Sequence, residues 1–413
     1  MPRMRGRWRA CLMLAFGVLA SAAINAEAGQ TADTPPGTPP PMRHLVGGGE
    51  ATVIAGPVDD EAFFNYTDYE HNELRIARVR LLGEWRVVPR FSILGEARTE
   101  NGDGVQIPAL YARWQPWSQR ALTIQMGRIP PVIGGFGRRA YSRDNPVNGS
   151  PLGYQYLTSL RPDALPTNAD DLLRMRGRGW QPSYPLGSQS TATGLPVISS
   201  SRWDTGAEAS WTTRAIDVAG AVTLGSPATP VVRDPSDGLM YSGRVAAHLP
   251  GAVTVGFSAA RGAWINRSVM DLLPERLHDM NSETVVGMDA EGGVGPWLVR
   301  GEWLHAVFVL PFIGAPDPGP LSTSSAFAEV RYRLLTRWQI AGRVDHLGFS
   351  DIVGTVNGGV PTSWDAPVDR VEGVIGYRVL RNLDVRAGYQ YNWRDGGRVH
   401  ERGYPTLLAS IWF

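Results

Sequence analysis

Most of the chain alternates between apolar and polar residues with a period of two. From Ala77 to Trp85, every second residue is apolar or glycine, and Arg78, Arg80 and Glu84 fill three of the four positions between them. Successive side chains of a β-strand point to opposite faces, so this pattern predicts a strand with one apolar and one largely charged face. Together with the segments that resemble it, the predicted strands lie near residues 61–68, 75–86, 90–99, 107–116, 120–129, 202–212, 215–225, 240–249, 252–261, 283–291, 297–306, 325–334, 338–347, 368–379, 384–394 and 404–413.

The connections between these predicted strands alternate between short and long. The short ones are residues 87–89, 115–120, 212–214, 250–251, 292–296, 335–336 and 380–383. The long ones are residues 100–105, 130–201, 226–238, 262–281, 307–324, 348–367 and 395–403. An up-and-down barrel that crosses an outer membrane has short turns at one end and long loops at the other. A soluble β-sandwich also alternates, but it does not require this asymmetry.

Tryptophans stand beside the predicted short turns. They are Trp85, Trp114, Trp117, Trp211, Trp297 and Trp338. Aromatic side chains concentrate at membrane interfaces, so these positions predict a girdle at one level of a barrel. The expected fold class is therefore all-β: a transmembrane, antiparallel, up-and-down β-barrel of about sixteen strands. A barrel of that size encloses a lumen wide enough for water.

The first residues have the pattern of a secretory signal. Four arginines between Arg3 and Arg9 precede an apolar run, residues 10–20, which is too short to span a bilayer as a helix. Small residues predict cleavage after residue 28. We therefore expect a signal peptide at 1–28, a Pro-rich periplasmic linker at 29–60 and a barrel at 61–413. The single cysteine, Cys11, would leave with the signal, so no disulfide or thiolate site is expected.

The chain ends in a strand pattern with Leu407, Ala409, Ile411 and Phe413 on one face. This ending resembles the terminal strand of bacterial outer-membrane proteins, whose final Phe serves as an assembly signal. With the signal segment and the turn asymmetry, the chain resembles porin-type barrels over nearly its whole mature length. The resemblance implies a place in the lipid of a Gram-negative outer membrane and insertion by the barrel assembly machinery. Assembly into a homo-oligomer is left open.

Residues 130–201 form by far the longest predicted loop. The segment before it, from Ile124 to Pro131, resembles the strand end of porins in which the following loop folds inward and constricts the pore. The candidate constriction residues are Arg138, Arg139, Arg161, Arg174, Arg176, Arg178, Asp163, Asp170 and Asp171. An excess of arginine in a narrow passage favours anions. The alternative is that these arginines pair with lumen carboxylates and pin the loop.

The alternation also predicts which charged side chains of the strands face the lumen. The residues predicted to face the lumen are Arg78, Arg80, Arg98, Arg113, Arg300, Arg331, Arg343, Glu84, Glu96, Glu302, Glu329 and Asp345. The same pattern places further arginines inward, among them Arg244, Arg333, Arg370, Arg378 and Arg386. Mixed charges of this kind set a transverse field in a pore or brace a wet barrel interior, and bracing is expected for most of them.

Composition and motifs exclude several other functions. All 40 basic residues are arginine and the net charge is +1, so nucleic acid is a poor candidate partner. No Gly-x-Ser-x-Gly elbow and no His-x-x-x-His pair occurs, so neither a catalytic serine nor a metal site is predicted, and no cofactor is expected. We expect a non-enzymatic channel for passive diffusion of small hydrophilic solutes. A loop-closed barrel with an adhesion or structural role is the main alternative, and an outer-membrane hydrolase is a weaker one.

Overall fold

The computed structural model of the protein describes residues 44–66, 71–117, 119, 121–139, 142–199, 203–232, 236 and 238–413. Within these residues, sixteen antiparallel strands form one closed barrel. In chain order, β1 to β16 are Leu45–Ala55, Ile76–Val88, Phe91–Glu100, Gln106–Trp114, Leu122–Ile129, Asp204–Thr212, Ile216–Thr223, Met240–Leu249, Val253–Gly262, Glu283–Val294, Trp297–Phe308, Leu321–Arg333, Trp338–Phe349, Val368–Leu380, Leu383–Arg394 and Glu401–Trp412.

Each strand pairs with its neighbours in the chain, and β16 pairs with β1 to close the barrel. In this closing pair, Ala51 lies opposite Ile411. Just beyond β16, the N–H of Phe413 donates to the carbonyl of Gly49 at 3.0 Å, and the N–H of Gly49 donates back at 2.9 Å. Closure removes the free strand edges, whose backbone groups hydrocarbon cannot solvate.

The predicted strands from 75–86 to 404–413 are confirmed, with ends displaced by at most a few residues. The strand predicted near 61–68 is wrong, because residues 61–66 lie in the connection between β1 and β2. The barrel starts instead at Leu45, inside the segment expected to be a linker. Three successive glycines, Gly47 to Gly49, interrupt the alternation of β1 and hide it. The predicted signal segment, residues 1–28, lies outside the described residues.

The outward face of the barrel is apolar. Residues such as Leu81, Val299 and Val344 are exposed there. The six tryptophans beside the short turns are exposed as well, between 40% and 52%. Trp297 packs on Tyr332 with ring centroids 4.4 Å apart, and similar pairing joins Trp338 to a tyrosine of β14. An apolar belt with an aromatic border matches hydrocarbon next to a membrane interface.

The connection between β5 and β6 carries local structure of its own. It holds a 3-10 turn at Phe136–Arg139 and two helices, α1 at Leu152–Gln155 and α2 at Ala169–Met175. The Asn168 side chain caps α2 by accepting the N–H of Asp171 at 3.1 Å. A third helix, α3 at Arg267–Met270, lies between β9 and β10. None of the helices in the described part of the chain is long and apolar enough to cross a membrane.

A large apolar cluster joins this connection to the wall at the long-loop end of the barrel. It includes Leu152 and Leu160 from the connection, and Phe308 and Leu321 from β11 and β12. All four side chains are fully buried. Fully burying a leucine or phenylalanine is worth roughly 1.5–3 kcal/mol, so the connection is a packed part of the fold.

Replacing Gly49 with alanine should lower the yield of folded barrel. A Cβ at this position would lie 2.6 Å from the Phe413 ring and 2.8 Å from the carbonyl oxygen of Arg80. That carbonyl belongs to the β1–β2 ladder, so relief of the clash would disturb the closing strands. The measurement is the heat-modifiable fraction of the protein on gels of outer-membrane extracts.

Gly83→Ala is the matched control, because Gly83 also faces outward and a Cβ there would meet no atom within 4 Å. Its folded yield should equal that of the wild type. Equal yields for both glycine variants would contradict the role given to close packing where β16 meets β1.

Candidate functional site

Several charged residues predicted to face the lumen share the face of the sheet that binds the long connection; Glu302, Arg300 and Arg343 are hydrogen-bonded to it. Arg80, for example, pairs with Glu50 on β1 and Arg98 on β3, so these three side chains lie on one face of the sheet. Its neighbours along β2, Val79 and Leu81, lie on the other face and are uncharged. Glu329 stands in the same way between Arg300 and Arg343. The alternation therefore predicts their side of the sheet, while their part in permeation stays a prediction.

A carboxylate of β11 holds the first part of the long connection. The N–H groups of Gly135 and Phe136 donate to the two oxygens of Glu302 at 2.8 and 3.2 Å. The hydroxyl of Tyr154 donates to the same carboxylate at 2.6 Å. Gly134 has φ of +74°, and a Cβ there would collide with the Tyr154 hydroxyl, so only glycine fits. Three donors from the connection thus converge on one strand residue.

Two further strand residues bind the backbone that follows. The N–H groups of Asn148 and Gly149 donate to Glu372 on β14 at 2.9 and 3.0 Å. The guanidinium of Arg343 on β13 donates to the carbonyl of Gly149 and to the side-chain oxygen of Asn145, both at 2.8 Å. Irregular backbone buried away from water needs such partners, because it has no helix or sheet ladder to satisfy it.

Strands β15 and β1 complete the attachment. Arg386 on β15 donates to the carbonyls of Ser142 and Asn145 at 2.8 and 2.6 Å. Glu50 on β1 accepts the N–H groups of Ser142 and Arg143 at 3.2 and 3.3 Å. Residues 134–139 and 142–150, named here the crossing segment, are therefore fixed along the arc of the wall from β11 to β1.

The inward charges behind the crossing segment also pair with each other. Arg343 binds Glu329 at 2.6 Å, and both side chains are at most 3% exposed. Arg300 binds the same glutamate at 3.4 Å and Glu291 at 2.7 Å. Removing one partner of such a pair leaves a buried charge uncompensated, which is strongly destabilising. These contacts indicate that Arg343, Arg300 and Glu329 brace the barrel interior and do not form a ring of charges lined by water.

The described members of the predicted constriction set contact other parts of the loop and its neighbours. Arg161 is fully buried and binds Asp163 through two hydrogen bonds, at 2.9 and 2.8 Å. Arg176 binds Ser363 and Asp395, which belong to connections at the long-loop end. The side chains of Arg138 and Arg139 lie outside the described residues.

Helix α2 carries the rest of that set. Asp170 accepts the N–H groups of Thr355 and Val356 at 2.6 and 3.1 Å, again at the long-loop end. Asp171 pairs with Arg174 at 3.1 Å, and Arg174 and Arg178 are exposed. The described members thus contact other loop residues or connections at the long-loop end, and their part in a constriction stays a prediction. The crossing segment itself contains Arg138, Arg139 and Arg143 as well as four glycines and two asparagines.

The connection between β13 and β14 anchors the later part of the loop. Asp365 accepts the N–H groups of Ser159 and Gly177 at 2.6 and 2.7 Å. Burial raises the pKa of Asp365, and these N–H groups oppose the rise. Burial also raises the pKa of Tyr156 to about 12, so its hydroxyl stays neutral at physiological pH. Asp365 thus binds the later part of the loop, as Glu302 binds its first part.

Part of the lumen stays unfilled. A cavity of about 280 Å³ lies against the inner face of β1 to β4. Its lining includes Leu82 and Glu84 from β2, Leu94 and Glu96 from β3, and Tyr111 from β4. Trp203, at the end of the long connection, also borders the cavity, whereas the strands that bind most of the crossing segment lie on the other side of β1.

Replacing Glu302 with glutamine should loosen the crossing segment. Glutamine keeps the shape but puts an NH₂ group where one oxygen accepts a backbone N–H, and a buried unsatisfied donor costs about 1–3 kcal/mol. The chain has no lysine, so trypsin cleaves it only after arginine. We expect faster tryptic cleavage within residues 130–201, measured by mass spectrometry of the folded barrel.

Asp217→Asn is the control for this experiment. Asp217 is an inward carboxylate that binds His248 on the neighbouring strand at 2.9 Å. Its replacement should leave cleavage of the long connection unchanged. Wild-type cleavage in the Glu302 variant would show that this carboxylate does not hold the segment.

No model of a known protein family and no curated protein sequence matches the chain. Solved structures do match. The chain is similar to the anion-selective porin from Comamonas acidovorans, with a TM-score of 0.53 and 10% identity over 89% of this chain and 98% of that one. It is also similar to OmpT, an outer membrane protein of Vibrio cholerae, with a TM-score of 0.52 and 9% identity over 89% and 97% of the two chains.

The outer membrane channel DcaP of Acinetobacter baumannii is a further similar structure, with a TM-score of 0.52 and 10% identity over 89% of this chain and 96% of that one. Identities this low support the fold and not a shared substrate. Together with the closed barrel of sixteen strands, they show that the chain has the fold of porin-type β-barrel proteins.

Proposed function

We propose that the protein is an outer-membrane channel through which small hydrophilic solutes diffuse passively. The observation that carries this proposal is the division of the lumen. The crossing segment is held along the arc from β11 to β1, and the cavity beside β1 to β4 remains unfilled. The lining of this cavity is mainly apolar, with Leu82, Leu94 and Trp203, and Glu84 and Glu96 supply carboxylates that would face a hydrated solute.

The apolar outer face supports a membrane location for this channel. In the proposed orientation, the short turns face the periplasm and the long connections face the outside, as in other barrels of this type. Phe413 then ends the closing strand on the periplasmic side, where the barrel assembly machinery would recognise it. Residues 1–28 would direct export across the inner membrane.

A barrel closed by its loop is the second candidate. The buried apolar cluster around Leu152, Leu160 and Phe308 favours it, because that cluster occupies the long-loop end of the lumen. Such a protein would serve as a surface or adhesion protein without conducting. Catalysis has no part in either proposal, and groups of three or more metal-binding side chains are not found among the described residues.

Leu82→Trp should reduce the single-channel conductance of the protein in a planar bilayer severalfold. Leu82 lines the cavity, so an indole there would narrow the open part of the lumen. Leu81→Trp is the control, because Leu81 is 51% exposed on the outward face and tryptophan is well tolerated beside lipid. The control should conduct like the wild type.

Two results would count against the proposal. Folded wild-type protein that conducts no ions would favour the closed barrel. Equal conductance of the two tryptophan variants would show that ions do not pass beside β2.

A further inference from the structure

Charge is unevenly distributed in the half of the lumen nearest the short turns. Strand β12 ends there with two successive inward-facing arginines, Arg331 and Arg333. Arg378 faces inward from β14 at a similar distance from its own turn. Arg333 and Arg378 are exposed and Arg331 is half-buried, so all three guanidinium groups border accessible space.

Arg331 and Arg333 lack the partners that other inward arginines have. Within the described residues, neither side chain takes part in a hydrogen bond or an ion pair, and the Nε of Arg331 is a buried donor without an acceptor. By contrast, Arg300 binds two glutamates, and Arg378 binds Asp384 at 3.1 Å. The two arginines of β12 are therefore not needed to neutralise the wall.

Nearby charges make this imbalance larger. The arginines within electrostatic range of Arg331 are Arg300, Arg333, Arg378 and Arg386. The carboxylates that accompany them, Glu291, Glu329 and Asp384, each already bind an arginine. Like charges held this close repel one another, and an added anion relieves that repulsion.

We propose that Arg331, Arg333 and Arg378 form an oxyanion-binding site in the short-turn vestibule, for solutes that carry a phosphate or carboxylate group. Each guanidinium is permanently charged and offers a planar fork that matches two oxygens of such a group. The site lies beyond the crossing segment, so it is distinct from the arginines of the long connection. The site rests on the proposed channel, since solutes reach it through the lumen. Its charge makes anion binding differ between the two ends of that channel.

Pyrophosphate is a suitable probe, because it carries several oxyanion groups and is small. Added to each side of a bilayer in turn, it should block the chloride current of the wild-type barrel more strongly from the short-turn side. In Arg331→Gln/Arg333→Gln, the half-blocking concentration should rise about tenfold or more, because two charge-assisted hydrogen-bonding groups are lost. The reversal potential in a salt gradient should also move toward cation preference.

Arg276→Gln/Arg398→Gln is the matched control. It removes the same charge from exposed positions in long connections at the other end of the barrel, and it should leave pyrophosphate block unchanged. Block that is unchanged in the β12 variant, or lost equally in both variants, would overturn the site and leave the channel intact. If the double variant folds poorly, Arg333→Gln alone serves, because Arg333 is exposed at the end of its strand.

A barrel without any current would overturn the proposed function, and the site is then tested separately. Calorimetric titration of pyrophosphate into the folded barrel in detergent should show binding to the wild type and at least tenfold weaker binding to the β12 variant. Equal binding by both proteins, or no binding by either, would overturn the site whatever the conductance.

Discussion

Sixteen strands enclose more space than their own side chains fill, and the charged residues that face this space need partners once it is partly closed to water. The crossing segment meets the same need from the other side, since its irregular backbone has unsatisfied N–H and carbonyl groups. Glu302 and Glu372 accept its N–H groups, and Arg343 and Arg386 donate to its carbonyls. The strands and the loop thus satisfy each other's hydrogen-bonding groups. The rest of the architecture, including the position of the open space, depends on these hydrogen bonds.

The use of arginine as the only basic residue suits this exchange. Arg343 binds Glu329, the carbonyl of Gly149 and the side chain of Asn145 at the same time. A planar group with five fixed donors is able to do this, whereas an ammonium group has three donors around one point. The same rigidity leaves the Nε of Arg331 without an acceptor among the described residues.

Local pattern was enough to predict fifteen strands, because alternation between two faces is a property of each strand by itself. It failed at β1, where glycine replaces the apolar residues and the close approach of Phe413 explains why. Glu50 was missed for the same reason. The partners within the loop were out of reach of such reasoning. Arg161 binds a residue two positions away, and Arg176 binds Asp395, which lies 219 positions away; nothing in the sequence distinguishes these cases.

The pairing of β1 with β16 also has a consequence for the order of events in biogenesis. Glu50 lies opposite Trp412, so the first strand of the barrel needs the last strand as its partner. Contacts between the most distant parts of a chain form late, because closing the long loop between them costs conformational entropy before the contacts can stabilise the fold. Until then, β1 has an unpaired edge and an apolar face, which invite aggregation. The edge of the first strand therefore stays unprotected until the last strand of the barrel has formed beside it.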